Sequence, residues 1–234
     1  MLSRMGAAVV AEAVGTFLFF FVGIGAVVAG ADLVGVALAH GLALAVLVSA
    51  LGAVSGGHFN PAVTVAVRLT GGIHWGHAVL YIVAQLVGAV AAGFAVKAVF
   101  PEALYSAAGG GTPALGDGIT LAAGIGIEAV LTLLLVLTVF GTAIDPRAPK
   151  IGGLAIGLAV AADILMGGPL TGAAMNPARW FGPAVASGSY DDWYVWWVGP
   201  LIGAIVGAVI YRYVLAGEAE EDVTPATPEG WDGD

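Results

Sequence analysis

The apolar and polar positions of this chain separate into long blocks rather than alternating within single turns. Six strongly apolar runs of about 20 residues follow one another, divided by short segments with Gly, Pro or charged residues. A hydrocarbon core about 30 Å thick needs about 20 helical residues at about 1.5 Å each. The runs therefore predict six transmembrane helices, at Gly6 to Gly30, Leu33 to Val54, Trp75 to Val99, Ile119 to Gly141, Ile151 to Gly168 and Trp193 to Leu215.

The second half of the chain repeats the first. Glu128 lies 116 positions after Glu12, and the same offset relates LAHGLA at 38–43 to LAIGLA at 154–159 and joins two Asn-Pro-Ala tripeptides. Matches in a common register indicate an internal duplication. Each repeat holds three predicted spans, an odd number, so the second repeat enters the membrane from the opposite face. The pattern predicts an all-α membrane protein built from inverted repeats.

The two tripeptides mark two short helices between the spans. The segment from Ser55 to Leu69 is too short to cross a bilayer and too apolar for an ordinary loop, and Met175 to Pro183 repeats its pattern. Asn caps a helix N-terminus well, and Pro suits the first helical position. Half-helices of about 15 Å entering from opposite faces meet at the bilayer centre. We predict two re-entrant half-helices that begin at Asn60, Pro61, Ala62 and at Asn176, Pro177, Ala178.

Composition agrees with a lipid environment and places the charge. The chain is 59% hydrophobic and 10% charged, whereas soluble domains carry about 25% charged residues. The net charge of -9 comes largely from acids that follow Gly217. We therefore predict one domain at 1–217, with repeats at 1–105 and 118–217, and an acidic, disordered cytoplasmic tail at 218–234.

Basic residues fix the predicted orientation. Cytoplasmic loops of membrane proteins carry an excess of Lys and Arg. The threading places five basic residues on one side and two on the other, so the five-residue side and both termini are predicted to be cytoplasmic in a multi-pass cell-membrane protein. The larger set is Arg4, Arg68, Arg147, Lys150 and Arg212, and the smaller is Lys97 and Arg179.

The predicted half-helices have a consequence for conduction. Non-helical backbone at mid-membrane depth is tolerated only where it is buried or lines a wet cavity, and each Asn follows such backbone. Two helix N-termini, each with about half a positive charge, repel cations there. A water molecule whose oxygen accepts from both Asn60 and Asn176 cannot continue a proton wire. The sequence predicts a water-lined pore that excludes protons and ions.

The motifs carry a family resemblance over residues 6–215. SGGHFNPAVT, MNPARWFGP, the repeat starts AEAVGTF and IEAVLTL, and WVGP in the last span resemble the aquaporin (major intrinsic protein) family. The resemblance implies six helices with two half-helices and a homotetramer with one pore per subunit. It also implies that Glu12 and Glu128 brace the re-entrant loops, and that Gly56, Gly57, His58 and Phe59 support the pore.

The resemblance also implies a selectivity filter, formed by His40, Ile164, Ala173 and Arg179. The guanidinium of Arg179 offers donors and a fixed charge that opposes cations. The strict water filter has Phe and His where this chain has His40 and Ile164, and the departure resembles plant tonoplast intrinsic proteins. Passage of ammonia, urea or hydrogen peroxide beside water is therefore predicted, and glycerol is disfavoured because Trp180 and Ala184 replace the Asp and the basic residue of glycerol facilitators.

Two residues near the predicted filter leave alternatives open. Trp180 either packs against the last helix or narrows the vestibule. Asp163 is a carboxylate within a span, and such groups are either functional or structurally paired.

A second function class is a secondary active transporter, which also uses inverted repeats and broken helices. Such coupling needs a titratable group in the path, and only Glu12, Glu128 and Asp163 are available. We expect no enzymatic activity, since catalytic motifs, metal-ligand spacing and phosphate loops are missing from the sequence. Accordingly we expect no cofactor, no metal and no nucleic-acid partner, and the predicted partners are water, small neutral solutes and lipid.

Overall fold

The computed structural model describes residues 2–216, so the predicted acidic tail at 218–234 lies outside the described residues. Within residues 2–216 the regular elements are helical. They are α1 Arg4–Val28, α2 Leu33–Ser55, α3 Pro61–Leu69, α4 Trp75–Val99, α5 Glu102–Ala107, α6 Leu121–Val139, α7 Gly152–Thr171, α8 Pro177–Ser187 and α9 Val195–Ile210. A short 3-10 turn, Gly109–Gly111, follows α5, and π-helical turns extend α6 to Ile144 and α9 to Leu215.

The prediction of six spans and two half-helices is confirmed, with small shifts at the boundaries. Six helices of residues 2–216 are long and apolar enough to cross a membrane. Capping explains where two of them begin. The Ser3 hydroxyl accepts from the N–H of Gly6 at 3.1 Å, so α1 starts earlier than predicted. Thr120 caps α6 through the N–H of Ala123 at 3.2 Å, so that helix starts two residues later than Ile119.

The outward faces of the spans are apolar, as expected of a protein whose solvent is lipid. Four aliphatic side chains on α1 recur every fourth residue and are 40–47% exposed, namely Val10, Val14, Leu18 and Val22. The buried face of the same helix carries the polar residues Glu12 and Thr16, which are 0% exposed. Polarity therefore points inward, the reverse of a soluble helix.

Both chain ends of the described region lie at one side of the bundle, here called the terminal face. The spans α1, α4 and α7 run away from that face, and α2, α6 and α9 run back to it. Half-helix α3 occupies the terminal half of the bundle, packed on α9 and α4, and α8 occupies the other half, packed on α4. The basic residues Arg4, Arg68, Arg147, Lys150 and Arg212 accordingly lie at the terminal face.

The two repeats meet most closely where α2 crosses α7. A Cβ added to Gly41 would lie 2.6 Å from the carbonyl oxygen of Gly157, and the reciprocal addition at Gly157 would collide with the carbonyl of Gly41. Two glycines at equivalent places in the repeats thus let the backbones touch, as small residues do between membrane helices. This crossing fixes the distance between the two loops that follow α2 and α7.

Candidate functional site

The two half-helices meet at their N-termini through a reciprocal pair of side chains. In Asn60 and Asn176 the side-chain oxygen accepts from the backbone N–H of the second residue of the same helix, at 2.8 and 2.9 Å. The amide nitrogen of Asn60 donates to the carbonyl of Met175, and that of Asn176 donates to the carbonyl of Phe59, both at 2.9 Å. An amide has two N–H donors. Each Asn therefore keeps one N–H beyond these bonds.

The same arrangement sets the places of the rest of each tripeptide. Pro61 and Pro177 occupy the first helical positions of α3 and α8, where the missing N–H costs nothing. Ala62 and Ala178 are 0% exposed, so a methyl is the side chain that the contact between the half-helices accommodates. The tripeptides are thus packed beneath the Asn side chains, with only the Asn residues reaching the cavity described below.

The backbone before each Asn adopts the same unusual turns in both repeats. Positive φ values occur at three positions in each loop, and Ala173 and the residues before each Asn do so without being glycine. A left-handed conformation costs about 1 kcal/mol or more for a residue with a Cβ, so each loop needs external support. The six positions are Gly56, Gly57 and Phe59 in the first loop, and Gly172, Ala173 and Met175 in the second.

Glu12 gives that support to the first loop. Its carboxylate, 0% exposed, accepts from the N–H groups of His58 at 3.0 Å and Phe59 at 2.8 Å. The hydroxyl of Ser55 and the side-chain amide of Gln85 donate to it as well, each at 2.7 Å. One buried carboxylate therefore satisfies four donors and holds the loop to α1, α2 and α4.

Glu128 serves the second loop with a smaller set of donors. It accepts from the N–H groups of Ala174 at 2.9 Å and Met175 at 2.7 Å, and from the Thr171 hydroxyl at 2.7 Å. Neither glutamate lines the cavity, so both lie behind the loops rather than in the path. This location fits a bracing carboxylate.

Besides Gln85, which donates to Glu12, four further residues with supporting contacts were not predicted from the sequence. The Tyr81 hydroxyl donates to the carbonyl of Ser55, and the indole N–H of Trp196 donates to the carbonyl of Thr171, both at 2.9 Å. Ser55 and Thr171 are separated by 116 positions, the offset of the repeat. The repeat offset could have identified Ser55 and Thr171, which both carry a hydroxyl. It could not have identified Tyr81 and Trp196, because their side chains are of different types.

A cavity of about 570 Å³ passes between the half-helices. It extends from the region of His40 and Arg179 to the α6–α7 connection around Asp145 and Lys150 at the terminal face. Most of the residues predicted to form the pore line it, namely His40, Gly56, Gly57, His58, Asn60, Ile164, Ala173, Asn176 and Arg179. Phe59 does not, because its ring is fully buried against Gly15.

His40 and Arg179 contact each other directly at one end of this cavity. The Nδ1 atom of His40 lies 2.9 Å from the carbonyl of Val36, which only accepts, so Nδ1 carries the proton. Nε2 is then an acceptor, and it receives the Nε–H of Arg179 at 3.0 Å. The contact thus requires a neutral His40, and it draws the guanidinium towards α2.

A second contact fixes the other side of the guanidinium. Nη1 of Arg179 donates to the carbonyl of Gly111 at 3.0 Å. Gly111 has a φ of 71° and a Cβ there would meet Ile24 at 2.7 Å, so the turn needs glycine. With Nε and one Nη1 hydrogen engaged, the remaining guanidinium N–H groups are available to the cavity that Arg179 lines.

His58 sits in a polar cluster below the Asn pair. Its Nδ1 atom lies 3.0 Å from the Thr64 hydroxyl, which donates to the carbonyl of Asn60 and accepts from Gln85 at 2.9 Å. Because the Thr64 hydrogen is already used, Nδ1 of His58 is the donor in this contact. The Nε2 lone pair is left as an acceptor on a ring that lines the cavity.

The structure resolves the alternatives for Trp180 and shows where Asp163 lies. Trp180 packs on Trp196 of α9, with ring centroids 5.7 Å apart, and does not line the cavity. Asp163 is 2% exposed and also lies off the cavity. Its Oδ2 atom has no hydrogen-bond partner among residues 2–216, so neither a structural pair at that atom nor a place in the cavity is seen for it.

The mouth of the cavity at the terminal face carries an ion pair. The Asp145 carboxylate accepts from Arg147 Nε at 2.9 Å and from the Tyr211 hydroxyl at 2.8 Å. These donors, the guanidinium above all, hold the pKa of the Asp145 carboxyl well below its ordinary value. The contact ties the α6–α7 connection to the end of α9.

Six spans, two half-helices that meet inside the bundle and a cavity between them define a multi-pass membrane protein of the channel type. Residues 3–211 match the family described as Major intrinsic protein, and the chain belongs to this family. The chain is 42% identical to "Aquaporin TIP4-4" of Zea mays, over 93% of this chain and 90% of that protein. It is also 42% identical to "Aquaporin-2" of Bos taurus, over 89% of this chain and 78% of that protein.

A solved structure shares the fold. The aquaglyceroporin from Plasmodium falciparum superposes with a TM-score of 0.78, covering 90% of this chain and 97% of that one, at 23% sequence identity. At this identity the likeness concerns the fold alone. The resemblance to the aquaporin family inferred from the motifs is thereby confirmed at the level of family and architecture.

Proposed function

We propose that this chain is a passive channel for water that excludes protons and ions, with ammonia, urea and hydrogen peroxide as further solutes. The observation that carries the proposal is the pair of half-helices joined by Asn60 and Asn176, both of which line one cavity that reaches from the Arg179 region to the terminal face. Relatives named aquaporins support the same activity. They do not favour secondary active transport or an enzymatic role.

Proton exclusion follows from the hydrogen bonds of the two Asn residues. Each amide has one N–H committed to the opposite loop, which fixes the orientation of the other. A water oxygen that accepts from both free N–H groups has its own hydrogens directed away from the Asn pair, towards the two ends of the pore. Hydrogen-bonded chains on either side are then oriented in opposite senses, and a proton cannot be relayed through. The N-terminal dipoles of α3 and α8 repel cations at the same place.

The filter in this proposal is the ring of His40, Ile164, Ala173 and Arg179. All four line the cavity, and the first and last share a hydrogen bond of 3.0 Å. Because Arg179 is drawn to His40 and Gly111, its charge stands at the wall rather than across the opening. Ile164 and Ala173 add apolar side chains to the lining, which suits small neutral solutes.

We further propose the membrane context. Five basic residues at the terminal face support a cytoplasmic location for both termini in the cell membrane. Family membership supports a homotetramer in which each subunit has its own pore.

Stopped-flow light scattering on proteoliposomes tests the proposal. Wild-type vesicles are expected to shrink rapidly under a sucrose gradient, with an activation energy close to that of free water diffusion. His40→Phe is expected to leave the water flux unchanged and to reduce the urea and ammonia fluxes, because a larger apolar ring narrows the filter. Arg179→Val is expected to admit ions. Wild-type shrinkage no faster than that of empty vesicles, with insertion verified, would exclude a water channel.

A further inference from the structure

Two buried indoles lie beside the proposed filter and do not line the cavity. Trp180 follows Arg179 in the first turn of α8 and is 3% exposed, and Trp196 on α9 is 1% exposed. Their rings are nearly parallel, at an interplanar angle of 7° with centroids 5.7 Å apart. The stack therefore joins the helix that carries Arg179 to the last span.

The far side of the stack is attached to the loop that carries Ala173. The indole N–H of Trp196 donates to the carbonyl of Thr171 at 2.9 Å. The Thr171 hydroxyl accepts from the N–H of Ala173 at 3.2 Å and donates to Glu128 at 2.7 Å. Two of the four filter residues are thus connected to one another through two buried rings and one threonine.

The other repeat shows what the stack replaces. The position equivalent to Trp180 is Thr64, 116 residues earlier, where a hydroxyl links His58, Gln85 and the Asn60 carbonyl. His58 in turn corresponds to Ala174, which packs in the same small apolar cluster as the two indoles. Polar contacts hold the first loop, whereas an indole fills the corresponding space behind the second. The volume of Trp180 is therefore matched to a cavity that the second repeat would otherwise leave open.

We propose that Trp180 is a positioning residue that sets the width of the filter by holding Arg179 and the Ala173 loop at a fixed separation. This inference rests on the proposed channel function and assigns the exclusion of glycerol-sized solutes to the stack. Trp180 touches no solute, since it lies off the cavity. Removing the ring leaves a void behind both filter walls, into which the loop and α8 relax, and the opening widens.

The test compares glycerol with water flux in vesicles that contain the full chain. Trp180→Ala is expected to raise the glycerol-to-water permeability ratio about fivefold, which corresponds to about 1 kcal/mol of the coupling seen between contacting residues. Trp180→Phe, which keeps a ring for stacking, is expected to stay near the wild-type ratio. Trp197→Ala is the matched control, because it removes an edge-on contact with Phe181 between the same two helices, away from the filter loop.

A second variant keeps the inference testable if Trp180→Ala does not insert. Trp196→Phe retains a ring for Trp180 but lacks the N–H that holds Thr171. The glycerol-to-water permeability ratio is therefore expected to rise in Trp196→Phe and to stay unchanged in Trp180→Phe. A wild-type ratio in Trp196→Phe and in any inserted Trp180→Ala, or an equal rise in Trp197→Ala, would overturn the inference. Wild-type vesicles without water flux would instead overturn the channel proposal and this inference together.

Discussion

The two half-helix loops follow one backbone plan but are held by different side chains. Both end on an Asn that caps its helix, both have three positive φ values, and both are braced by a buried glutamate. The first loop is surrounded by polar partners, with Gln85, Thr64 and His58 in one hydrogen-bonded cluster. The second has stacked indoles and Pro200 on the helix behind it. Backbone geometry is thus set by the cap and the brace, and the remaining space can be filled in either way.

The two repeats also differ in how the loop residue before Asn packs against the first span of its repeat. Phe59 of the first loop is fully buried and its ring occupies the space beside Gly15. At the equivalent places 116 residues later stand Met175 and Leu131, both buried. A large loop residue faces glycine in one repeat, whereas the other repeat has a slimmer loop residue and a leucine at the equivalent positions. The two repeats therefore distribute side-chain volume differently at these positions.

The largest expected effect comes from filling the space that Gly15 leaves for the Phe59 ring. Gly15→Leu places a side chain where that ring lies and is expected to destabilise the protein by about 3 kcal/mol or more, as overpacking does. Adding Phe59→Met gives the residue types of the second repeat and is expected to recover part of the loss, because the rigid ring that collides with the new side chain is removed. Thermal unfolding of the single and double variants in detergent measures both effects. A double variant no more stable than Gly15→Leu alone would show that the collision with the Phe59 ring is not the cause of the loss.

A somewhat smaller loss of stability is expected when either bracing glutamate, Glu12 or Glu128, is replaced. Glu12→Gln turns an amide N–H₂ towards N–H donors and is expected to cost about 3 kcal/mol, whereas Glu128→Gln is expected to cost about 2 kcal/mol. The order follows from four donors to Glu12 against three to Glu128. Unfolding midpoints measure it, with the exposed Glu102→Gln as the control. Equal costs, or the reverse order, would show that donor count does not govern the bracing.

The smallest effect concerns the connections between the first two spans of each repeat. A tight turn joins α1 to α2, but the longer α6–α7 connection is tied down by Asp145, Arg147 and Tyr211. The lowered pKa of Asp145 means that the contact stabilises the fold above the ordinary aspartate pKa of about 4 and is lost as the pH falls through the lower, folded-state value. Asp145→Asn is therefore expected to lower the unfolding midpoint slightly at neutral pH, because the Arg147 side chain of the ion pair is 64% exposed to solvent.

The pH dependence is the check on this last prediction. The difference in midpoint between wild type and Asp145→Asn is expected to shrink in acid, and Tyr211→Phe is expected to retain most of the dependence because the guanidinium remains. A difference that stays constant from neutral to acid pH would show that the charge of Asp145 contributes nothing.

Much of the fold could be predicted from the sequence, because it depends on local patterns and on motifs that recur at the repeat offset. The six spans follow from apolar length, and the half-helices follow from Asn-Pro at Asn60 and Asn176. Some boundaries differ from the prediction because a cap such as Ser3 or Thr120 sets the start of the helix, whereas α7 and α9 begin one and two residues late without a side-chain cap.

Most residues selected for the pore line the cavity, but their contacts did not follow from the sequence. His40 and Arg179 were both selected, yet their hydrogen bond depends on where α2 and α8 stand relative to each other, which no local pattern specifies. The packing of Trp180 on Trp196 is likewise a tertiary fact, since side-chain direction on two separate helices decides it. Gln85 was missed for another reason, because an isolated amide within an apolar span has no partner in its own repeat signature.

The reciprocal bonds between the half-helices also bear on biogenesis. While only the first repeat has emerged from the ribosome, the Asn60 amide and the Phe59 carbonyl lack the partners that Met175 and Asn176 later provide. Unpaired polar groups inside a bilayer are costly. We therefore expect the first loop to reach its final hydrogen bonds only after the second loop has been synthesised.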